Sequence, residues 1–200
     1  MIELILLAAG KSSRMGRNKM MLPWGDLTVI ESTISTVKQV AGITHTHILV
    51  SKNNEALQTH IQEFLCEKVS MSLNPDPDAD MLSSIRIGLE ACNEEMTYFL
   101  VLPGDMPKVN KETYELLLSS LDGCKRLVVP YSSKRKNGHP ICIHSSLKEQ
   151  VINNYDGVGL RGILEDYADQ IYRLEVSDEV LIDIDTIEDY QHALGSKDTS

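Results

Sequence analysis

The chain alternates between short, continuously apolar runs and segments in which apolar residues recur every three or four positions. Runs of strand length that are apolar throughout are typical of strands buried on both faces of a sheet. Together with two segments that alternate apolar and polar residues, 69–73 and 171–176, they predict strands at residues 3–8, 47–51, 69–73, 98–102, 127–131, 141–144, 171–176 and 180–184.

The segments between these runs have helical spacing. Ile30, Ile34 and Val37 recur on one helical face, and Thr28 and Glu31 stand where a capping box would begin that helix. Similar stripes predict helices within residues 57–64, 82–92, 110–121, 147–152, 162–167 and 187–194. The alternation predicts an α/β fold, a single-domain Rossmann-like three-layer sandwich whose mostly parallel sheet has helices on both faces. In such folds ligands bind beyond the carboxyl ends of the strands.

Composition excludes several classes of protein. The 200 residues are 42% hydrophobic, which is enough for one domain with a sizeable core. No run approaches the roughly 20 apolar residues that cross a bilayer. The apolar start at residues 2–9 is too short for a signal peptide and follows no basic segment, so we expect a cytoplasmic protein. A net charge of −10 argues against nucleic acid or an anionic membrane as a partner.

Neither the cysteines nor most of the histidines form a recognisable motif. The cysteines are far apart, make no CxxC pair and lie in or beside apolar runs, so we expect them to pack as small hydrophobic residues. They are Cys66, Cys92, Cys124 and Cys142. We expect surface or packing roles for His45, His47, His60, His144 and His192.

The first candidate site is a glycine-rich loop, LAAGKSSRMGRNK at residues 7–19, directly after the first predicted strand. Its basic residues are Lys11, Arg14, Arg17 and Lys19, and no acidic residue occurs between Glu3 and Asp26. Glycines and small residues let backbone N–H groups approach an anion, so the loop suits a polyphosphate. Its spacing fits neither a Walker A loop nor GxGxxG. The alternative is a solvated basic loop.

Two acidic segments supply candidate metal ligands. Asp105 follows the predicted strand 98–102 within LPGDMP, where one rigid carboxylate would suit Mg²⁺. The alternative is a capping residue in a turn. In LIDIDTIED at residues 181–189, strand alternation would place Asp183 and Asp185 on one face. Asp185 is the preferred second ligand, although it also stands where a helix N-cap would lie.

These motifs together resemble the molybdenum cofactor nucleotidyltransferase family, most closely its cytidylyltransferases. The matching segments are LAAGxSxRMGxxK, GDMP at 104–107, DMLSS at 80–84, GHP at 138–140, DGVGLR at 156–161 and DIDTIED at 183–189. Three of them depart from the family pattern. Asp80 and Ile187 replace a glycine and a proline, and the Gly-Asp order before Gly159 is reversed.

The resemblance implies a nucleotide-diphospho-sugar transferase fold. It implies one nucleotidyltransferase domain at 1–195, with an acceptor-binding part at about 130–176 and a flexible tail at 196–200. The implied nucleotide-binding residues are Leu7, Ala8, Ala9, Gly10, Ser12, Arg14, Gly16, Lys19, Ser83 and Ser84. The implied catalytic residues are Lys19, Arg14 and Asp105, the Mg²⁺ ligands Asp105 and Asp185, and the acceptor contacts His139, Gly159 and Arg161.

Other roles for several of these residues stay open. Ser83 and Ser84 are equally suited to contact a base or to cap a helix. His139 alone would be a structural turn residue, and Arg161 has the spacing to pair with Glu165 on the next helical turn. The run Lys134–Lys136 is either a solvated hairpin tip or a receiver for an anionic acceptor.

The implied reaction is Mg²⁺-dependent transfer of CMP from CTP to the phosphate of a molybdopterin-type cofactor, with release of pyrophosphate. Ala9 stands where the guanylyl type has a second glycine, which favours CTP. We expect a monomer or weak dimer that passes its product to a molybdoenzyme. Two alternatives are a transferase for a sugar or methylerythritol phosphate and a non-catalytic cofactor carrier. Lys19 and Asp105 favour catalysis because a carrier needs neither.

Overall fold

The computed structural model describes residues 1–10, 18–76 and 80–195. Its main feature is a seven-stranded sheet in the order β5-β4-β1-β6-β8-β7-β9. The strands are β1 (Ile2–Ala8), β4 (His45–Ser51), β5 (Val69–Asn74), β6 (Tyr98–Pro103), β7 (Leu127–Ser132), β8 (Ile141–His144) and β9 (Ile171–Val176), and a separate hairpin pairs β2 (Pro23–Trp24) with β3 (Leu27–Thr28). Only β8 runs against its neighbours, so the predicted mostly parallel sheet is confirmed.

Helices cover both faces of this sheet. They are α1 (Val29–Lys38), α2 (Glu55–Gln62), α3 (Met81–Ala91), α4 (Lys111–Ser119), α5 (Lys148–Asn153), α6 (Leu160–Asp166) and α7 (Ile187–Gly195). Alternate residues of β1 separate two cores: Leu4 and Leu6 pack with α1, α2 and α4, whereas Ile5 and Leu7 pack with α3, α5 and α6. This arrangement confirms the predicted three-layer sandwich.

Local signals account for several helix boundaries. Thr28 and Glu31 form the predicted capping box at the start of α1. Asp80 caps α3 and Asn110 caps α4 through side-chain oxygens. The last helix packs on the small hairpin, because Ala193 of α7 shares a buried cluster with Trp24 and Ile184.

The predicted strand at 180–184 is wrong. Residues Asp178–Leu181 form a 3₁₀ turn, and the chain then continues without regular structure to α7. The backbone groups of this segment are used by loops: the Val180 carbonyl accepts from the His139 N–H, and the Ile184 N–H donates to the Asp105 carbonyl at 3.1 Å. The segment therefore crosses the carboxyl end of the sheet instead of extending it.

The expectation that all four cysteines pack inside is half wrong. Cys92 and Cys142 are buried, but Cys66 and Cys124 are exposed in the connections after α2 and α4. An apolar run next to a cysteine therefore does not by itself bury the cysteine side chain. No helix in the described part of the chain is long and apolar enough to cross a membrane.

Candidate nucleotide and metal site

A cavity of about 710 Å³ opens at the carboxyl ends of β1, β5 and β6. Leu7, Ala9 and Gly10 line it from the β1 side, and Pro103 and Asp105 from the β6 side. The segment that crosses the sheet end contributes Asp183 and Asp185. Its position is the one where α/β sheets bind ligands.

Lys19 joins the two predicted metal ligands. Its Nζ lies 2.8 Å from Oδ1 of Asp185 and also contacts Oδ2 of Asp105. Lys19 begins a 3₁₀ turn, Lys19–Met21, which Asn18 caps by accepting a hydrogen bond from the Met20 N–H. The Lys19 side chain is only 12% exposed, so the cation is held inside the cavity wall.

The position of Asp105 follows from tight packing of the preceding loop. The Gly104 N–H donates to the Leu7 carbonyl at 2.9 Å and fixes the loop against the end of β1. A Cβ on Gly104 would lie 2.9 Å from Cδ1 of Ile30 and 3.2 Å from that carbonyl, so a larger residue would displace the loop. Asp105 itself is 5% exposed.

The charges in this cluster depend on one another. Burial acts to lower the pKa of Lys19, but the carboxylates of Asp105 and Asp185 outweigh burial and raise it above 10.5. Lys19 is therefore an ammonium ion at neutral pH. Burial and the neighbouring carboxylates of Asp185 and Asp105 raise the pKa of Asp183 above its usual value. Five aspartates line the described part of the cavity, and three of them, Asp105, Asp183 and Asp185, are neutralised in part by Lys19.

Asp105 fits a metal ligand on its own geometry. Its Oδ1 is buried and has no hydrogen-bond partner among the described residues, while its Oδ2 is used by Lys19. A buried carboxylate oxygen with an open lone pair is costly unless a cation or donor reaches it. Carboxylate oxygens are the donors that Mg²⁺ takes, commonly one or two together with substrate phosphates. Asp105 and Asp185 are the residues that would hold it.

Asp185 is not the N-cap of α7. Thr186 has that role: its Oγ1 accepts from the Asp189 N–H at 3.1 Å, and Asp189 Oδ2 accepts from the Thr186 N–H at 2.9 Å. This reciprocal pair is a capping box, with Asp189 in the usual place of Glu or Gln. The alternative role for Asp185 is thereby removed. Although residues 183–185 are not in a strand, Asp183 and Asp185 both line the cavity.

The glycine-rich loop is described only at its two ends. Ser12, Arg14 and Gly16, and the basic residues Lys11 and Arg17, lie outside the described residues. The Ala8 side chain packs in the core beneath α1 and does not line the cavity.

Asn74 is a cavity residue that sequence reasoning missed. It ends β5, is 3% exposed, and its Nδ2 donates at 2.8 Å to the hydroxyls of both Ser83 and Ser84. Neither serine caps α3, because Asp80 accepts from the Ser83 N–H instead. Ser84 lines the cavity, whereas Ser83 does not. A polar residue at the carboxyl end of an apolar strand was the available signal for Asn74.

A second cavity of about 440 Å³ adjoins the first and shares Asp80, Met81 and His139 with it. Gly159 and Arg161 line this second cavity, so the structure brings the three predicted acceptor residues together. Burial lowers the pKa of His139 below 6.5, although the Val101 carbonyl, 3.4 Å from its Nδ1, and Asp183 oppose this. The imidazole is thus mostly neutral at pH 7.

Two basic groups of the predicted acceptor part already have partners. The Nε of Arg161 lies 2.7 Å from Oε1 of Glu165, as the helical spacing suggested, but its side chain is 84% exposed. Nζ of Lys134 lies 3.1 Å from Asp178, which ties the cationic run to the segment after β9. Neither contact is deeply buried, so both groups could exchange their partner for a ligand.

The fold and this site define a class of protein, a nucleotidyltransferase. A profile of the MobA-like NTP transferase domain matches residues 4–171, and the chain belongs to that family. The chain is 27% identical over 191 residues to the molybdenum cofactor cytidylyltransferase of Escherichia coli (strain K12), covering 94% of this chain and 93% of that protein. It is 28% identical over 151 residues to a probable molybdenum cofactor guanylyltransferase of Bacillus mycoides (strain KBAB4), covering 74% and 70%.

Solved structures share the fold at lower identity. Rv0371c from Mycobacterium tuberculosis H37Rv superposes with a TM-score of 0.85 at 20% identity and covers 98% of this chain and 99% of that one. A structure of Rv0371c in complex with manganese superposes with a TM-score of 0.82 at 21% identity, covering 98% of each chain. These likenesses show that the chain shares its overall fold with these proteins.

Proposed function

We propose that this chain transfers CMP from CTP to the phosphate of a molybdopterin-type cofactor and releases pyrophosphate. The observation that carries the proposal is the Lys19–Asp105–Asp185 cluster at the floor of a cavity that adjoins a second one through His139. A cation beside metal-type carboxylates suits a nucleoside triphosphate. The adjoining cavity gives an acceptor a place within reach of it.

The reaction requires the protein mainly to position the reactants and to neutralise charge. An oxygen of the acceptor phosphate forms a bond to the α-phosphorus of CTP. The bond from that phosphorus to the bridging oxygen of the β-phosphate breaks, and pyrophosphate departs with the electron pair. A phosphate monoester is already an anion near neutral pH, so the nucleophile needs no general base. Positioning and charge neutralisation account for catalysis of this kind.

Each residue of the cluster has a distinct task in this proposal. Lys19, held as an ammonium ion, offsets charge on the α- and leaving phosphates. Asp105 and Asp185 hold Mg²⁺, which when bound neutralises phosphate charge and helps to align the groups. The ligand role of Asp105 is supported by its open buried oxygen, and the manganese complex of a protein of the same fold is in keeping with it.

The acceptor part is proposed at about residues 130–176. His139 stands at the boundary of the two cavities as a neutral imidazole, where it can donate to or accept from a phosphate oxygen without adding charge. Arg161 is exposed at the second cavity and can exchange Glu165 for an acceptor phosphate. Ala9 lines the nucleotide cavity, which supports CTP as the donor.

Pyrophosphate release tests the proposal. Purified protein with Mg²⁺ is offered CTP or GTP, each with molybdopterin-type cofactor or with a sugar or methylerythritol phosphate. The proposal requires the fastest release with CTP and the molybdopterin-type cofactor. Release only with a sugar or polyol phosphate would assign another acceptor, and no release with any pair would support a carrier.

A further inference from the structure

Three chemically different metal-binding side chains meet at the amino end of the sheet. Glu3 lies in β1, His47 in β4, and Cys92 directly follows α3. One ligand atom from each of these residues lies within 4.8 Å of the other two. The residues are 2%, 4% and 6% exposed, so a carboxylate, an imidazole and a thiol share one buried space.

The sheet register and α3 create this cluster. Ile5 pairs with His47 in the parallel β1–β4 ladder, and Glu3 is two residues before Ile5 on the same face. Helix α3 packs on that face. It runs from its first turn, where Ser84 lines the cavity of about 710 Å³, which is the substrate cavity, to the residue before Cys92 at the opposite end. Eleven helical residues span about 16 Å, so this cluster is separate from the carboxylates of the substrate cavity.

Hydrogen bonds orient two of the three side chains toward a common point. Nε2 of His47 is 2.6 Å from Oε2 of Glu3, while its Nδ1 is 3.2 Å from the Ser70 hydroxyl. The Asn93 N–H donates to the Glu3 carboxylate, 3.2 Å from Oε1 and 3.4 Å from Oε2. Metal-binding histidines characteristically use their second nitrogen in this way, and metal-binding carboxylates are similarly supported.

We propose that Glu3, His47 and Cys92 form a binding site for one zinc-class divalent cation through Oε2, Nε2 and Sγ. Nitrogen, sulfur and oxygen donors together are the ligands of Zn²⁺, and Co²⁺ occupies the same kind of site. Mg²⁺ prefers oxygen donors alone. Three protein ligands leave one tetrahedral position, which a solvent molecule takes.

Binding changes the protonation of the cluster. Without metal, burial and Glu3 raise the pKa of the Cys92 thiol to about 12, so the thiol keeps its proton. On binding, this proton passes to the buffer and the sulfur bonds to the cation as a thiolate. His47 shifts the proton that its Nε2 shares with Glu3 to Nδ1, which then donates to Ser70, and the freed Nε2 binds the cation. The cation replaces the Glu3–His47 hydrogen bond and ties β1, β4 and α3 together.

Titration of the metal-free full-length protein with Co²⁺ tests the site. We expect a thiolate-to-cobalt charge-transfer band in the near ultraviolet that saturates at one Co²⁺ per chain bound at this site, together with release of a proton. The Cys92→Ala variant should lose the band, whereas Cys142→Ala, which removes another buried thiol from β8, should keep it. The described lining of the substrate cavity contains no cysteine, so Co²⁺ bound there gives no such band.

Two further measurements, of metal affinity and of Tm, test the same site. His47→Gln should weaken Co²⁺ binding by more than the roughly 10–100-fold that loss of an outer-shell partner costs. Zn²⁺ should raise the Tm of the wild type and of Cys142→Ala but not of Cys92→Ala. A wild type with no band in excess Co²⁺ would overturn the proposal, even if Cys92→Ala does not fold, and so would a band that survives in Cys92→Ala. None of these readouts involves turnover, so they are independent of the transferase proposal.

Discussion

Nζ of Lys19 lies 2.8 Å from Oδ1 of Asp185, although the two residues are 166 positions apart along the chain. The contact joins the turn at Lys19 to the segment before α7 at the base of the cavity. That segment is held in place by the hydrogen bond from the Ile184 N–H to the Asp105 carbonyl. Lys19 and both proposed metal ligands are therefore parts of one connected structure.

Replacing Lys19 by Met should separate its catalytic and structural roles. Turnover should fall by about 100-fold or more, because the phosphates lose a preorganised cation. Without divalent metal the variant should lose about 2–3 kcal/mol in urea unfolding, less than a fully buried pair because Asp185 is partly exposed. Lys111→Met removes an exposed lysine that pairs with Glu115 and should change neither quantity measurably.

Replacing Asp105 by Asn should remove about 100-fold or more of turnover while the far-ultraviolet circular dichroism stays native. The amide has nearly the same shape but does not carry the charge that holds a divalent cation. Isothermal titration should show weaker Mg²⁺ binding in the presence of CTP. Asp122→Asn, at an exposed aspartate that pairs with Lys125 and lines neither cavity, is the control and should keep normal turnover. Unchanged turnover in Asp105→Asn would contradict the metal role.

His139 should make the folded state sensitive to mild acid. Its folded-state pKa lies below the ordinary value of 6.5, so the unfolded chain takes up this proton first as the pH falls. The contribution of His139 to stability is thus present above about pH 6.5 and is lost as the pH falls toward the folded-state pKa. Urea unfolding between pH 7.5 and 5 should show a shallower acid loss for His139→Gln than for the wild type. Parallel curves would contradict this assignment.

Gly138 should tolerate no side chain. A Cβ there would lie 2.5 Å from both the backbone carbonyl oxygen and Cγ2 of Val180, and backbone cannot give way as a side-chain end can. Gly138→Ala should cost about 1–3 kcal/mol of stability and lower turnover by displacing His139. Gly195→Ala is the matched control, because a Cβ on Gly195 meets nothing within 4 Å. Thermal unfolding of both variants decides the point.

Arg161 and Glu165 distinguish a surface ion pair from an acceptor contact. Arg161→Gln should raise the KM for the acceptor several-fold and leave the Tm nearly unchanged, because an exposed pair contributes little stability. Glu165→Gln releases the same arginine and should leave the acceptor KM equal or lower. Equal increases in KM for the two variants would show that the pair acts structurally.

The sequence predicted the sheet well because most of its strands are apolar runs of strand length, a pattern that is visible locally. It failed at 180–184, where Val180 and Ile184 are as apolar as strand residues but bury their side chains while their backbone groups bond to loops. The periodicity of apolar residues does not indicate which partner a backbone group bonds to. The same limitation applies to Asp185, whose neighbour Thr186 takes the capping role.

The cavity was predictable where motifs are local and unpredictable where topology assembles it. Asp105 and Lys19 were identifiable from short segments, but their contact through a common cavity floor depends on the fold. Asn74 carries no motif, and its position at the end of β5 was the one local signal, whereas its hydrogen bonds to Ser83 and Ser84 depend on the fold. His47 and Cys92 were expected to be ordinary packing residues, because sequence spacing gives no sign that parallel pairing and α3 bring them to Glu3.

The most direct test of the transferase account follows the α-phosphate of CTP. The wild type and Asp105→Asn are incubated with Mg²⁺, molybdopterin-type cofactor and CTP labelled either at the α- or at the γ-phosphate. The account predicts that wild-type protein moves the α-label into the cofactor product and the γ-label into pyrophosphate, and that Asp105→Asn does neither at a comparable rate. An α-label that stays in CTP, with the cofactor bound but unchanged, would contradict it.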